Sequence, residues 1–535
     1  MKNLFKTILL MVFPIIAIAQ SPVPKDFDIE IGQPYKVIDA YTSQYFNIGD
    51  NIFACKHTKD AYVIQKFNTS TLKLESTKNI TGLPDKIVVE SIREIDDKLF
   101  FFYSLWDKKN EKEQLFYQEV NLATGNLDGK EKLLISVDGK VTGTIAGTGK
   151  LYGVQIVDKF KFYNSNDDSL LLIRYRKKPS KRNDAKSNDV IGFNVFTSNL
   201  TKVWTKEVRM PYTEKKMDNI DYHIDHKANV YLLSMIYNGS ASSMELVKGK
   251  PNYRIEVIKI SPDSDEVKRF QTSLGSKMIN SISLYQGYEN DLIMGGYYTI
   301  SNKDIHDARG IFYLRMDENG IVKDKSTFEF PLAVLNQNES NKTIRKNDKK
   351  SGEKAEFSNL RMMKIIVEDD GSVVLVGEQA YVVTTTGKTT SVTHYFNDII
   401  VAKIDSDGEL AWLKKLPKKQ RGRNTGKKDM SFRHFGYNGK HYFLYMDNAK
   451  NLNLDLKEEP VAHAAGLGGY LTQYELDSRT GELSKTHILN AREVKKMVIY
   501  QFAPERITNI SDGVYVIEVY KKNKQDILIK ATHKL

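Results

Sequence analysis

Several short stretches of this sequence combine residue types that could do chemistry, and each is tested by its spacing. Residues 143–150, GTIAGTGK, offer glycines whose backbone N–H groups could cradle a phosphate, with a lysine to reach it. The spacing fails. A phosphate loop needs glycine six positions before the lysine, where Thr144 stands, and Leu151 occupies the place of the hydroxyl that would hold Mg²⁺. The stretch therefore reads as a Gly-rich connection, of unassigned placement across 140–157. Gly466-Leu467-Gly468-Gly469 lacks the strand-to-helix setting of a dinucleotide site. His223, Asp225 and His226 are metal-ligand types, but on a strand the two histidines point to opposite faces, and exposed loop histidines are expected instead. Asp405-Ser406-Asp407-Gly408 and Asp317-Glu318-Asn319-Gly320 pair carboxylates that could hold Ca²⁺, yet their spacing suits tight Asx turns. There is no His-Glu-x-x-His pair, no Gly-x-Ser-x-Gly elbow and no distinguishable acid pair for glycoside hydrolysis. No catalytic residue, metal ligand or cofactor is expected.

The remaining chemistry is cationic. Residues 177–189 carry a net charge of +3, residues 338–356 +2 and residues 418–428 +6, together +11 of a formal +12 for the chain. Removing Lys2 and Lys6 with the leader leaves +10, so everything outside the three insertions is close to neutral. The candidate binding residues are Lys177, Lys178, Lys181, Arg182, Lys418, Lys419, Arg421, Arg423, Lys427 and Lys428. Clustered cations attract polyanions over about a Debye length, ~8 Å at physiological salt. The plainer reading is a set of flexible, solvated loops whose charge aids solubility.

The elements that must position these loops are repeated hairpins. Residues 398–417, DIIVAKIDSDGELAWLKKLP, place two apolar strand-type runs around a tight Asp/Gly turn, where glycine takes φ > 0 at no steric cost. Related hairpins occupy 310–331 and 470–489. All-strand units recurring at roughly 50–80 residues predict propeller blades. The pattern Asp398-Ile-Ile-Val-Ala-Lys-Ile-Asp-x-Asp-Gly-x-x-x-Trp412 resembles the outer half of a blade in secreted bacterial β-propeller repeat proteins, of the quinoprotein-like and WD-repeat-like superfamily. Asp477-x-x-Thr480-Gly481 is similar to the quinoprotein pattern, with Lys485 where that pattern has a docking tryptophan. The resemblance implies a fold and an extracytoplasmic setting, and no activity.

The chain is therefore expected to be all-β, a single propeller of eight four-stranded blades, alternatively seven. The last blade, ending one strand short after 526–530, is expected to be closed by residues 27–38, since an open ring would expose an unpaired edge. In such blades the A–B and C–D turns lie at one end of the ring, the B–C and D–A connections at the other. All three cationic insertions are B–C or D–A connections, which sends them to one long-loop face.

Lys2, Lys6, the apolar run 8–18 and Ala17-Ile18-Ala19 have the order of a secretory signal peptide. That run, of about a dozen residues, is short for a membrane span. The division expected is a signal peptide over 1–19 and a propeller over 20–535, exported to the periplasm or outside. The sole cysteine, Cys55, lies far from the cleavage point, so no lipid anchor is expected, and it reads as a small buried hydrophobe. The function read from this is an exported, non-catalytic binding scaffold using its long-loop face for an anionic partner: a polysaccharide, an acidic protein or a membrane surface. An exported propeller lyase or glycosidase acting on acidic glycans is the alternative. No nucleic acid is expected as a partner, and the chain is expected to be a monomer.

Overall fold

The structure is a computed structural model. It describes residues 26–534 except 60, 146–156, 180–183, 240–242, 288–289, 301–305, 350–354, 387–389, 424–429, 457, 465–467, 492–493, 495–498 and 522. The expected signal peptide lies outside the described residues.

Each repeat forms a four-stranded antiparallel sheet, because its segments are short, rich in β-branched and aromatic residues, and separated by turn residues. Blade one runs Thr42–Ile48, Asn51–His57, Tyr62–Asn68 and Leu74–Asn79 in that spatial order. Blades two to seven repeat the order, with inner strands at Val88–Ile95, Phe160–Asn164, Met217–Ile224, Met278–Gln286, Leu360–Val367 and Phe432–Tyr437. Blade eight supplies Ile507–Ser511, Val514–Lys521 and Gln525–His533. Its outer strand comes from the other end of the chain: Phe27–Ile31 pairs antiparallel with Gln525–His533, Phe27 opposite His533. Tyr35–Lys36 pairs with the same strand at Asp526 and Gln525. The chain is an eight-bladed β-propeller closed by its N-terminal strand, as expected.

The buried residues explain why eight blades cohere. Among the described residues most of them fall into eight apolar clusters, each bridging two consecutive blades. The cluster between blades six and seven, for example, packs Val374, Val401 and Trp412 against Phe443, Tyr445 and Tyr474. Each blade thus buries its two faces against its neighbours, as in other repeat arrays. Outer-strand tryptophans fix the relation further. Trp204 Nε1 donates to the Ala228 carbonyl at 2.9 Å, and Trp412 Nε1 to the Ser478 carbonyl at 3.0 Å, each in the following blade. Trp412 also lies under Gly481, where an added Cβ would come within 2.8 Å of its ring. The Asp477-x-x-Thr480-Gly481 turn therefore receives the tryptophan of the preceding blade, while Lys485 in its own strand pairs with Asp447 at 2.8 Å.

The closing junction also buries charge. Lys56 Nζ lies 2.6 Å from Glu518 Oε1 and 3.6 Å from Asp526 Oδ2, with all three side chains shut off from solvent. Tyr35 and Tyr45 donate to the two Glu518 oxygens at 2.6 and 2.5 Å.

The tight turns are as expected. Asp405 Oδ1 accepts from the N–H groups of Asp407 and Glu409, and Asp317 Oδ1 from those of Asn319 and Ile321. Cys55 is buried, and burial pushes its thiol up to about 12. Other expectations need correction. His223 and Asp225 are buried and only His226 is exposed: Asp225 takes N–H bonds from Lys227 and Asn229, and His223 faces Gln286. The insertion at 338–356 is partly helical, Leu332–Asn336 leading to Asn341–Lys349. Thr144–Ile145 pairs with Val157–Asp158, and most of the Gly-rich connection lies outside the described residues. Among the described residues no helix is long and apolar enough to cross a membrane.

Candidate functional site

Blade six overruns its ring. Its second and third strands, Val373–Thr385 and Ser391–Ile404, stay paired as far as Thr385 opposite Ser391, well beyond the Glu378–Ile399 pair that ends the regular blade. The run of Val, Thr and Tyr in this stretch keeps the backbone extended. The chain leaving the outer strand Leu410–Leu416 then adds Gln420–Arg423 antiparallel to the overrun. His463–Ala464, from blade seven, lies parallel on its far side. Residues 418–423 are therefore not a loose basic loop. They are largely a strand within a sheet.

Strand alternation sorts their charges. Lys418 and Gln420 are fully buried, whereas Arg421 and Arg423 are exposed. Lys418 corrects the expectation of a solvated cation: its Nζ lies 2.8 Å from Glu378 Oε1, both side chains sealed from solvent, and also donates to the Phe396 carbonyl at 2.9 Å. Burial holds its pKa below the usual lysine range. Its charge belongs to the blade. Lys419, Arg421 and Arg423 share the opposite face and form a stripe. In register, Tyr381 stands opposite Tyr395 and Tyr395 opposite Arg421; the next row is Val383, Thr393 and Arg423. The two tyrosine rings stack at 4.7 Å with 12° between planes. Lys419 makes a half-exposed ion pair with Glu459 at 2.5 Å, a contact of little net strength.

The foot of this face opens into a cleft of about 540 Å³ between blades five, six and seven. Side-chain amides line it, from Asn338, Asn347, Asn359, Gln379 and Asn397. Four of its carboxylates are held by named partners. Glu339 and Asp398 share Lys415, at 2.9 and 3.2 Å, while Glu356 accepts from Thr299 and Glu459 from Lys419. Burial raises the Glu339 carboxyl even beside Lys415. On the rim, the helix Asn341–Lys349 exposes Lys342, Arg345, Lys346 and Lys349.

The blade-three insertion reaches the same end of the ring but stands across it, since blade three lies opposite blade seven in an eightfold ring. Among its described residues, both carboxylates pair with Arg176 at its base, and one of its cations, Lys177, meets a carboxylate. Arg176 pairs with Asp184 at 2.9 Å and Asp189 at 2.7 Å, and Lys177 with Glu207 at 3.1 Å. Lys178 is exposed. Lys181, Arg182, Lys427 and Lys428 lie outside the described residues. The structure thus brings Lys419, Arg421 and Arg423 together and leaves Lys177 and Lys178 apart from them. Sequence reasoning missed the stacked Tyr381–Tyr395 pair and the rim helix. The Val/Thr run at 382–385 and 391–393, too long for one blade, was the available signal for the first.

No protein-family model matches this chain, and no curated protein matches it. Solved structures it is similar to include a prolyl endopeptidase (11% identity, TM-score 0.39), a polysaccharide lyase (10%, 0.37) and the WD40 domain of SCAP from fission yeast (8%, 0.38). They cover 90%, 92% and 95% of this chain respectively. In the other direction the match spans 90% of the lyase and 98% of the WD40 domain, but only 55% of the prolyl endopeptidase. The likeness is one of fold alone.

Proposed function

We propose that this chain is an exported, non-catalytic binding propeller whose long-loop face takes an anionic partner, and that the partner is an acidic polysaccharide. One observation carries the reading: Lys419, Arg421 and Arg423 alternate onto the exposed face of a paired strand, next to the stacked Tyr381 and Tyr395. A strand holds these cations at a fixed spacing of about 6.8 Å between alternate residues, which suits a regularly charged polymer. The flat aromatic pair suits sugar rings, and the amide-lined cleft suits hydroxyls. An acidic protein or a membrane surface needs neither amides nor a cleft. Glu339, Asp398, Glu356 and Glu459 in the cleft are engaged by Lys415, Thr299 and Lys419, which supports binding rather than cleavage of a glycan.

The test is binding of the whole chain to acidic glycans, matched neutral glycans and anionic vesicles over a salt series. Preference for acidic glycans, weakening steeply with salt, is expected. Equal binding to neutral glycans would remove the anionic reading, tighter binding to vesicles would make a membrane the partner, and release of glycan fragments would favour the lyase or glycosidase.

A further inference from the structure

At the short-turn end of the ring, opposite the stripe, a cleft of about 460 Å³ opens beside the axial channel. Its size falls within the range of small-molecule sites, about 300–1,000 Å³. The A–B turns of three consecutive blades bring polar side chains to it. Blade three gives Asn166 and Asp167, blade four His226, and blade five Tyr285, Gln286 and Asn290. The end of the inner strand of blade six adds an apolar wall, Val367.

Gln286, itself buried, organises these groups. Asn290 Oδ1 can only accept, so the Gln286 amide nitrogen donates to it at 3.2 Å and to His226 Nδ1 at 3.3 Å. The Gln286 side-chain oxygen accepts from the buried His223 Nε2 at 3.4 Å. With Nδ1 accepting, His226 keeps its Nε2–H to donate, and Asn290 keeps its side-chain NH₂. A further bond fixes the walls. Asn166 Nδ2 donates to the Gln286 carbonyl at 2.9 Å, which ties the turn of blade three past blade four to blade five and leaves Asn166 Oδ1 to accept. Asp167 is held by the hydroxyls of Ser165 and Ser169 at 2.6 and 2.8 Å, and the Ser165 bond lowers its pKa, so it stays an ionised acceptor. The half-buried Tyr285 ring lies against His223 at 5.8 Å between centroids. Burial, then the charge of Asp168, raises its phenol, which stays protonated and able to donate. Among the described residues, His226 Nε2, Asn290 Nδ2, Asn166 Oδ1 and the Tyr285 hydroxyl have no protein partner.

We propose that this cleft is a second binding site, and that its ligand is a neutral sugar. A hydroxyl both donates and accepts, so adjacent hydroxyls of one ring satisfy the mixed set of donors and acceptors that the three turns bring together. Val367 and the Tyr285 ring offer apolar surface to the C–H groups of the same ring. Among the described residues no lysine or arginine lines the cleft, and its one fixed charge is the Asp167 carboxylate, which repels an anion. The site therefore differs from the stripe in face, in charge and in ligand. Saturation-transfer NMR on the whole chain tests it, with glucose, galactose and mannose as probes and glucuronate as their charged counterpart. Wild type, His226→Ala and Tyr285→Phe are compared, with melting curves to check folding. At least one neutral hexose should bind saturably and more tightly than glucuronate. Each substitution should weaken that binding about three- to tenfold, the value of one hydrogen bond. His226 is exposed and Tyr285→Phe removes a single hydroxyl, so both variants should melt like wild type. No saturable binding of any of the three hexoses overturns the proposal. So does glucuronate binding as tight as the best hexose, or full hexose binding by both variants.

Discussion

The described parts of two cationic insertions on the same face of the ring are arranged differently. Around blade three, Arg176 and Lys177 turn back onto Asp184, Asp189 and Glu207. After blade six, the same kinds of residue enter a strand, and the alternation of that strand buries Lys418 and presents Arg421 and Arg423. Both regions are net positive, so the sign of their charge does not distinguish them. Register does, because a one-residue step along a strand decides whether a cation faces Glu378 or water. The difference teaches that surface charge available to a partner is set by pairing geometry, and that a basic run read from a sequence overstates it.

The contrast is broken most severely at Lys418. Lys418→Met should leave Glu378 buried and unpaired and cost about 3–5 kcal/mol, whereas adding Glu378→Leu should restore most of that loss. Chemical denaturation of wild type, single and double variants measures both. A single variant as stable as wild type would mean that Lys418 behaves like its exposed neighbours.

A smaller effect follows from the strand beside the stripe. Burial, assisted by the nearby charge of Lys418, pushes His463 down to about 4 from the ordinary 6.5, against the pull of Asp447. The folded state thus holds fewer protons than the unfolded one. The neutral ring's contribution is fully present above about 6.5 and is lost as pH falls from there toward 4, amounting to about 2 kcal/mol by pH 5. Stability compared at pH 7 and pH 5 should show this drop in wild type and a reduced drop in His463→Gln. Residues 177–189 contain no histidine, so that insertion should add nothing to the pH dependence.

The smallest effect is expected in blade three. Lys177→Ser with Lys178→Ser removes exposed or half-exposed charges, so stability should stay within about 0.5 kcal/mol of wild type. Binding to acidic glycans should be almost unchanged as well, as a titration of this variant beside wild type would show.

The fold was largely legible because blades are local units. Turns such as Asp405–Gly408 and Ser511–Gly513, and apolar runs such as Ile399–Ile404, carry their own geometry, and the missing strand at 27–38 followed from counting edges. The site was less legible. Residues 418–428 are basic and Gly-containing, which reads as loop, and the pairing of 420–423 depends on a partner stretch at 393–396 that is adjacent only after blade six has formed. The burial of Lys418 depends on Glu378, forty residues earlier in the sequence. The helix at 341–349 was hidden by its polarity, since it shows no apolar stripe and has no buried residue. A hydrogen-bonded chain from blade six to blade seven joins Lys364, His434, His441 and Glu368, which no local pattern could unite.

The central claim is that the stripe, and not the total basic charge, recruits the partner. The direct measurement is glycan affinity as a function of salt for wild type, for Lys419→Ser/Arg421→Ser/Arg423→Ser, and for Lys177→Ser/Lys178→Ser. The stripe variant should lose at least about tenfold in affinity at low salt and show a flatter salt dependence, because fewer cations engage the polymer. The blade-three variant should overlay wild type. Equal losses in the two variants, or none in the stripe variant, would contradict the account.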